Sequence, residues 1–90
     1  MPYFDWEPAK NRKLIRSRGI SFEDVIIALE QGNLIDVVEH QNKKKYPDQY
    51  IIIFEVYDYV YCVPCIQDRE VFFLKTIFPD RKRNKKYKKK

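Results

Sequence analysis

The clearest periodic pattern in the sequence is a run of apolar residues with helical spacing between positions 22 and 29. Its apolar side chains fall at positions i, i+3, i+4 and i+7, the pattern of one buried helix face. Ser21 stands before the run and Asp24 three residues later, which is a near match to the capping box that begins many helices. Gly32 is suited to end this helix. The apolar positions are Phe22, Val25, Ile26 and Leu29.

A second helix is predicted just upstream, over residues 8–18. Pro8 suits the first helical turn, where its missing N–H removes no hydrogen bond, and Gly19 suits the helix end. The apolar stripe of this helix is thin, so we expect it to lie on the surface with a basic outer face. The preceding segment, residues 3–6, is predicted to be a short strand.

The rest of the chain up to Pro79 alternates between strands and turns. Strands are predicted over residues 34–39, 49–57, 59–66 and 70–78, with a long polar loop at 40–48. Pro79 is expected to stop the last strand because it cannot donate to the ladder. The pattern predicts an α+β fold: an N-terminal strand, two helices and an antiparallel meander of three to four strands. Residues 1–79 are predicted to form one domain and residues 80–90 a basic C-terminal tail.

Both faces of the predicted sheet are apolar, whereas antiparallel sheets usually have one polar face. Within residues 50–57 and 70–78, apolar side chains point to both faces of the strand. Two short helices can cover only one face, so we expect a partner protein or a second copy of the chain to cover part of the other. The alternative is that the helices and the tail divide between the two faces.

Positive charge is concentrated in patches along the chain. The formal net charge is +5, yet residues 81–90 hold eight Lys or Arg and no acid, which leaves residues 1–80 with ten bases against thirteen acids. Five of those ten bases lie in residues 10–18, and three form the run 43–45. Such patches suit a partner that carries phosphates. The alternative for the C-terminal run is a tail that only keeps the protein soluble.

The cysteines and the apolar runs indicate the cellular compartment in which the protein is expected. The start of the chain lacks the pattern of a secretory signal, and no apolar run is long enough to span a membrane, so a reducing cytoplasm is expected. Cys62 and Cys65 lie three apart in a predicted strand and point to opposite faces, which favours two core cysteines over a redox pair or a zinc site. We therefore predict neither metal nor cofactor.

Several polar residues are candidates for chemistry on a phosphate. His40 is the one imidazole in the sequence and either transfers protons or is an ordinary loop residue. Lys75 shares an apolar strand face, where it would lose solvation and bind phosphate, or else extend its ammonium to solvent at the sheet edge. Arg81 to Arg83 are expected to form an ordered anion-binding site close to Lys75. Tyr87 is expected to stack on a base or donate a proton, and Lys88 to Lys90 to be a frayed attractor of anions.

The stretch YFDWEPAKNRKLIRSRGISFEDV resembles the opening of BrnT-type toxins, which have a RelE-like fold. That family begins with an aromatic strand, continues with a Lys-bearing helix and reaches a Lys-His-Gly-Ile-Ser-Phe-Glu-Glu segment. Arg18 stands where the family has its His. The resemblance covers the first third of the chain. The matching residues are Phe4, Trp6, Lys10, Gly19, Ile20, Ser21, Phe22 and Glu23.

The resemblance implies a ribonuclease toxin of a bacterial type II toxin–antitoxin pair, a hydrolase that needs no metal. Its partners would be RNA and a cognate antitoxin, with a homodimer or a heterotetramer as possible assemblies and promoter DNA bound only through the complex. The alternatives are a non-catalytic nucleic-acid-binding module and a plain protein-interaction domain. The expected catalytic residues are Lys75, Arg81, His40 and Tyr87, and the expected phosphate-binding residues are Lys10, Arg16, Arg18, Lys82 and Arg83.

Overall fold

A mixed β-sheet and three helices make up the computed structural model, which describes residues 3–88. The α+β class predicted from the sequence is confirmed. In chain order the elements are β1 (Tyr3–Trp6), α1 (Pro8–Arg18), α2 (Phe22–Glu30), β2 (Leu34–Glu39), β3 (Gln49–Val56), β4 (Tyr59–Asp68), β5 (Val71–Leu74), β6 (Phe78–Pro79) and α3 (Arg81–Lys88).

The sheet has the strand order β1-β5-β4-β3-β2, with β6 pairing to β4 beyond the end of β5. Strands β2 to β5 form the predicted antiparallel meander. Tyr57 and Asp58 connect β3 to β4, and both have positive φ (53° and 58°), as a two-residue type I′ hairpin turn requires. The first strand, β1, lies parallel to β5 at one edge. This parallel contact makes the sheet mixed rather than a pure meander.

Helices α1 and α2 cover one face of the sheet, and their ends follow the predicted signals. Gly19 adopts the left-handed conformation (φ 66°) that ends α1, and its N–H donates to the carbonyl of Ile15. Ser21 and Asp24 form both bonds of a capping box at the start of α2. The apolar side of α2 packs into the main core with alternate side chains of β3 and β4, including Phe54 and Val63.

The strand predicted over residues 70–78 is interrupted, because the structure forms β5 and β6 in its place. Leu74 pairs with Cys65, and Phe78 pairs with Cys62. The segment that links β5 to β6 therefore has one more residue than the part of β4 that it faces. Such an extra residue is a bulge, which bends the strand and turns a side chain aside. Here Ile77 is turned into the main core.

The segment predicted as a basic tail forms α3 on the second face of the sheet, opposite α1 and α2. Asp80 accepts hydrogen bonds at the first turn of α3, and the Asn84 side chain accepts one from the N–H of Val60 in β4. A smaller core cluster lies on this face, formed by Ile53, Val60 and Cys62. Of the predicted frayed residues, Lys89 and Lys90 lie outside the described residues.

The second face is covered only in part within residues 3–88. Val71 and Phe73 on β5 are 37% and 36% exposed, and Ile51, Pro64 and Ile66 on the neighbouring strands are half-buried. The alternative in which the tail takes a share of this face is thus the arrangement seen, with an apolar area left open beside it. None of the three described helices has the length and apolar character of a membrane span.

Candidate functional site

The only imidazole and one of the C-terminal arginines line the same cleft. Its volume is about 350 Å³, and it lies between the end of β2 and α3. His40 follows β2 directly. Its backbone N–H donates to the backbone carbonyl of Gln49, which fixes the position of His40 at the sheet edge. The structure thus brings together two predicted residues from distant parts of the chain. The lining residues are Val38, Glu39, His40, Gln41, Ile51 and Arg83.

The contacts of His40 define which nitrogen is available for chemistry. Its Nδ1 accepts a hydrogen bond from the N–H of Asn42 at 3.0 Å, and its ring lies 4.5 Å from the ring of Tyr46. A neutral imidazole that accepts at Nδ1 carries its proton on Nε2. In this conformation His40 is therefore a hydrogen-bond donor at Nε2, and it accepts a proton at Nδ1 only after the Asn42 amide has moved away.

Arg83 is held in place by Asp80. The Asp80 carboxylate accepts from the Arg83 backbone N–H at 2.9 Å and from its guanidinium at 2.7 Å. The side-chain hydrogen bond to Asp80 raises the pKa of Arg83 above its ordinary value. Burial by itself would raise the pKa of Asp80, but the hydrogen bonds and charge of Arg83 outweigh burial and lower it. Both groups are therefore charged at neutral pH, and one side of the guanidinium is committed to Asp80.

A second cleft, of about 400 Å³, lies near the opposite edge of the sheet and is basic. Lys10 and Lys13 of α1 line this cleft, and so does Lys75, the first residue after β5. Glu7 is the one acidic residue among its lining residues. Lys75 shares a face with Phe73, as predicted, and its Nζ lies 6.0 Å from the centre of that ring. Lys75 is exposed, however, so the loss of solvation expected from the sequence is not seen.

Other predicted residues are not part of either cleft. Arg16 lines a shallow depression with Arg12 and Ile15, on a different flank of α1 from Lys10. The Arg18 guanidinium donates to the carbonyl of Ile77, which ties the end of α1 to the bulge between β5 and β6.

The remaining three predicted residues belong to α3. Arg81 and Lys82 are exposed in its first turn. Tyr87 is 39% exposed near the end of α3, with the Nζ of Lys86 at 5.9 Å from its ring centre. The structure therefore divides the predicted residues among two clefts, the flank and end of α1, and α3, instead of collecting them in one pocket.

Both cysteines are free thiols in the protein interior, as predicted. Cys65 belongs to the main core and Cys62 to the smaller cluster on the second face. Burial raises the pKa of Cys62 to about 12 and that of Cys65 to about 11, so both thiols are protonated at neutral pH. Within residues 3–88 no group of three His, Cys, Asp or Glu side chains is arranged to hold a metal ion.

Two residues that line the second cleft and one that holds Arg83 in place have no role in the sequence-based prediction. Lys13 follows Lys10 by three positions, the helical spacing that puts both on one flank, so periodicity was the available signal. Asp80 precedes a run of six bases in eight residues, the position of a helix cap. Phe73 reads as one more apolar strand residue, and nothing in the sequence separates it from the buried ones.

No model of a known protein family matches the chain, and a search of characterised proteins finds no match either.

Proposed function

We propose that the protein is a metal-independent ribonuclease, acting as the toxin of a type II toxin–antitoxin pair, with its reaction centre in the His40–Arg83 cleft. The observation that carries the proposal is that an Asp80-anchored guanidinium and an imidazole whose Nε2 carries the proton line one cleft. The resemblance of residues 3–25 to BrnT-type toxins supports the same reaction class, and a RelE-like fold is part of this proposal.

Cleavage of RNA without a metal ion depends on stabilising charge at phosphorus. The 2′-oxygen forms a bond to phosphorus while the bond to the 5′-oxygen breaks, so negative charge grows on the phosphoryl oxygens. The Arg83 guanidinium and the His40 Nε2–H are both donors, and donors aimed at developing charge are often the largest catalytic contribution. The 2′-hydroxyl must also lose a proton and the 5′-oxygen must gain one. His40 takes part in these transfers when the Asn42 amide releases Nδ1.

The test is cleavage of end-labelled RNA by purified protein in the presence of a metal chelator. Loss of a donor that stabilises the transition state is expected to slow cleavage about 10²- to 10³-fold, for both His40→Ala and Arg83→Ala. Arg83→Lys keeps the charge but not the paired donors and is expected to fall between wild type and alanine. Arg12→Ala, which removes a charge outside both clefts, is the matched control and should cut normally.

The outcomes separate the proposal from its alternatives. Equal cleavage by wild type and by the His40→Ala and Arg83→Ala variants would contradict the proposed centre. RNA that is bound but never cut would identify a nucleic-acid-binding module, and RNA that is neither bound nor cut would leave an interaction domain. Expression in a bacterium adds a cellular readout, because a toxin arrests growth and the His40→Ala variant should not.

The proposed partner is a small antitoxin that blocks the second face of the sheet. The apolar area around Val71 and Phe73 adjoins Lys75, so one protein covering it would also exclude RNA from the basic cleft. Co-expression with the product of a neighbouring small gene should restore growth and yield a stable heterotetramer or another defined complex on a sizing column. A co-expressed neighbour that neither binds nor restores growth would contradict this part of the proposal.

A further inference from the structure

We propose that the open part of the second sheet face binds single-stranded RNA, with one base stacked on Phe73 and nearby phosphates bound by Lys10, Lys13 and Lys75. The inference deepens the proposed function and rests on it for the identity of the nucleic acid. It adds what that function leaves open: the strandedness of the substrate and the path that it takes to the His40–Arg83 cleft.

The register of the sheet places His40 and Phe73, which line the two different clefts, on the same face of the sheet. His40 lies beside Gln49, which pairs with Ile66, which in turn pairs with Phe73. These four residues therefore form one row, from the residue after β2 across β3 and β4 to β5. Three strand spacings of about 4.8 Å separate the ends of the row, or about 14 Å. At the ~3.4 Å rise of a stacked strand, that distance holds at most about four nucleotides.

A second row of residues runs parallel to the first. The two rows together form the surface between the two clefts, which we call the floor. Val38 pairs with Ile51 and Ile51 with Pro64, whose carbonyl accepts from the N–H of Lys75 at 2.9 Å. The near end of this row meets Arg83 of α3, since Val38, Ile51 and Arg83 line the same cleft. The floor is thus mostly apolar, Arg83 stands at one end and Lys75 at the other.

Phe73 has the position and exposure of a stacking platform. Its side chain is 36% exposed, although an aromatic ring in the interior of a sheet is normally covered. Lys75 is at the outer limit of a cation–π contact with the ring, so the ammonium is available to a phosphate while a base occupies the ring face. An aromatic ring beside a cation is the arrangement by which proteins bind unpaired bases.

The charge around Phe73 favours a polyanion. Lys10, Lys13 and Lys75 line one cleft with Phe73, against the single carboxylate of Glu7. Asp5 pairs with Phe73 across β1 and β5 and lies on the far side of the ring from β4. Its negative charge limits the RNA-binding path along this face, which we call the track, at that edge. A base can reach the ring only when it is unpaired, so a duplex cannot make this contact. Single-stranded RNA therefore fits the surface better than duplex RNA.

The experiment measures binding of a short oligoribonucleotide with 2′-O-methyl sugars, which cannot be cut, by fluorescence anisotropy at several salt concentrations. The single strand is expected to bind more tightly than the duplex of the same sequence. Phe73→Leu keeps an apolar side chain but removes the aromatic face, and it should weaken single-strand binding about 5- to 150-fold. Phe73→Trp should bind at least as tightly as wild type.

Salt dependence distinguishes the roles of the ring and the lysine. For a single strand, each phosphate contact contributes about 0.7 to the slope of log affinity against log salt. Lys75→Ala is expected to reduce the slope by about 0.7, whereas Phe73→Leu should lower affinity with the slope unchanged. Arg12→Ala removes the same charge from another flank of α1 and should leave the slope unchanged.

Failure of this inference and failure of the proposed function give different results. If Phe73→Leu binds the single strand as wild type does, or if the duplex binds equally well, the track is wrong even where His40→Ala abolishes cleavage. If binding depends on Phe73 but RNA is not cut, the track stands and the ribonuclease proposal fails. A wild-type protein that forms dimers through Phe73, shown by a Phe73-dependent mass in light scattering and no binding of the oligonucleotide, would overturn the track in favour of a protein interface.

Discussion

Replacing Asp80 with alanine is expected to release α3 from the sheet while the rest of the fold persists. Six of the eight residues of α3 are Lys or Arg, and like charges three or four residues apart destabilise a helix. A helix of this length is marginal in water in any case. Its stability must therefore come from contacts at its start and along its inner side. Those contacts are the Asp80 cap, the Arg83–Asp80 pair and the Asn84 bond to β4.

The magnitude follows from the two interactions that the substitution removes. Loss of an acidic helix cap costs about 0.5–2 kcal/mol. The ion pair adds less than about 1 kcal/mol, because the Arg83 side chain is 38% exposed and solvent screens the pair. We expect the free energy of opening α3 to fall by about 1–2 kcal/mol, which corresponds to a roughly 5- to 30-fold larger open population.

Cys62 reports this opening directly. Its thiol lies under the β6–α3 connection, where its Sγ contacts the carbonyl of Phe78 at 3.7 Å. Alkylation requires the thiolate and access, and burial that raises the pKa to about 12 withholds both. In Asp80→Ala the alkylation rate of Cys62 should rise about 5- to 30-fold. Cys65 lies in the main core and should react as slowly as in wild type, which makes it an internal control.

Asp80→Asn separates the cap from the charge. Asparagine caps as well as aspartate does, so this variant should retain most of the stability that alanine loses. The pKa of Asp80 is lowered in the folded protein, so its charge stabilises the fold above the ordinary pKa of 3.8. That contribution disappears as the pH falls through the lower folded-state pKa, and the difference between wild type and Asp80→Asn should vanish there. Equal Cys62 reactivity in wild type and Asp80→Ala would refute this account of α3.

Two further predictions concern the ends of the first two helices, and urea denaturation measures both. Asn11 is buried, accepts from the N–H of Phe22 and donates to the Glu23 carboxylate, each at 2.7 Å, so Asn11→Ala should lower the free energy of unfolding by about 1–3 kcal/mol. The exposed neighbouring change Arg12→Ala should stay within about 0.5 kcal/mol of wild type, and an equal loss in both would contradict a specific role for the amide. Gly19→Ala should cost about 1–2 kcal/mol because Gly19 has a φ of 66°, and no loss would show that this conformation is not required.

Local signals in the sequence predict the helices on the first face well. The capping box at Ser21, the Gly19 end and the apolar spacing of α2 are short-range features, and each is found in the structure. The first helix, 8–18, and the strand 34–39 have the predicted bounds. Such features are encoded within a few residues, so a single sequence is enough to read them.

The features that the sequence does not predict depend on long-range contacts. The bulge at residues 75–77 exists because Ile77 enters the main core and Arg18 binds its carbonyl, a contact between the end of α1 and a distant strand. The helix α3 is opposed by its own charge and depends on β4. His40 and Arg83 line one cleft only because α3 folds against the sheet. The sequence alone therefore does not place the site.

The second face of the sheet links these observations to one physical requirement. Its apolar residues need a cover, yet α3 covers only the part around Ile53, Val60 and Cys62. A helix rich in Lys and Arg is a poor choice for burial alone, since its charges repel one another and must remain in water. The same charges become favourable when a polyanion lies against the open part of the face, because each phosphate neutralises a cation and releases a counterion. Binding of RNA should therefore stabilise α3, so Cys62 should be alkylated more slowly when the uncleavable single strand is bound.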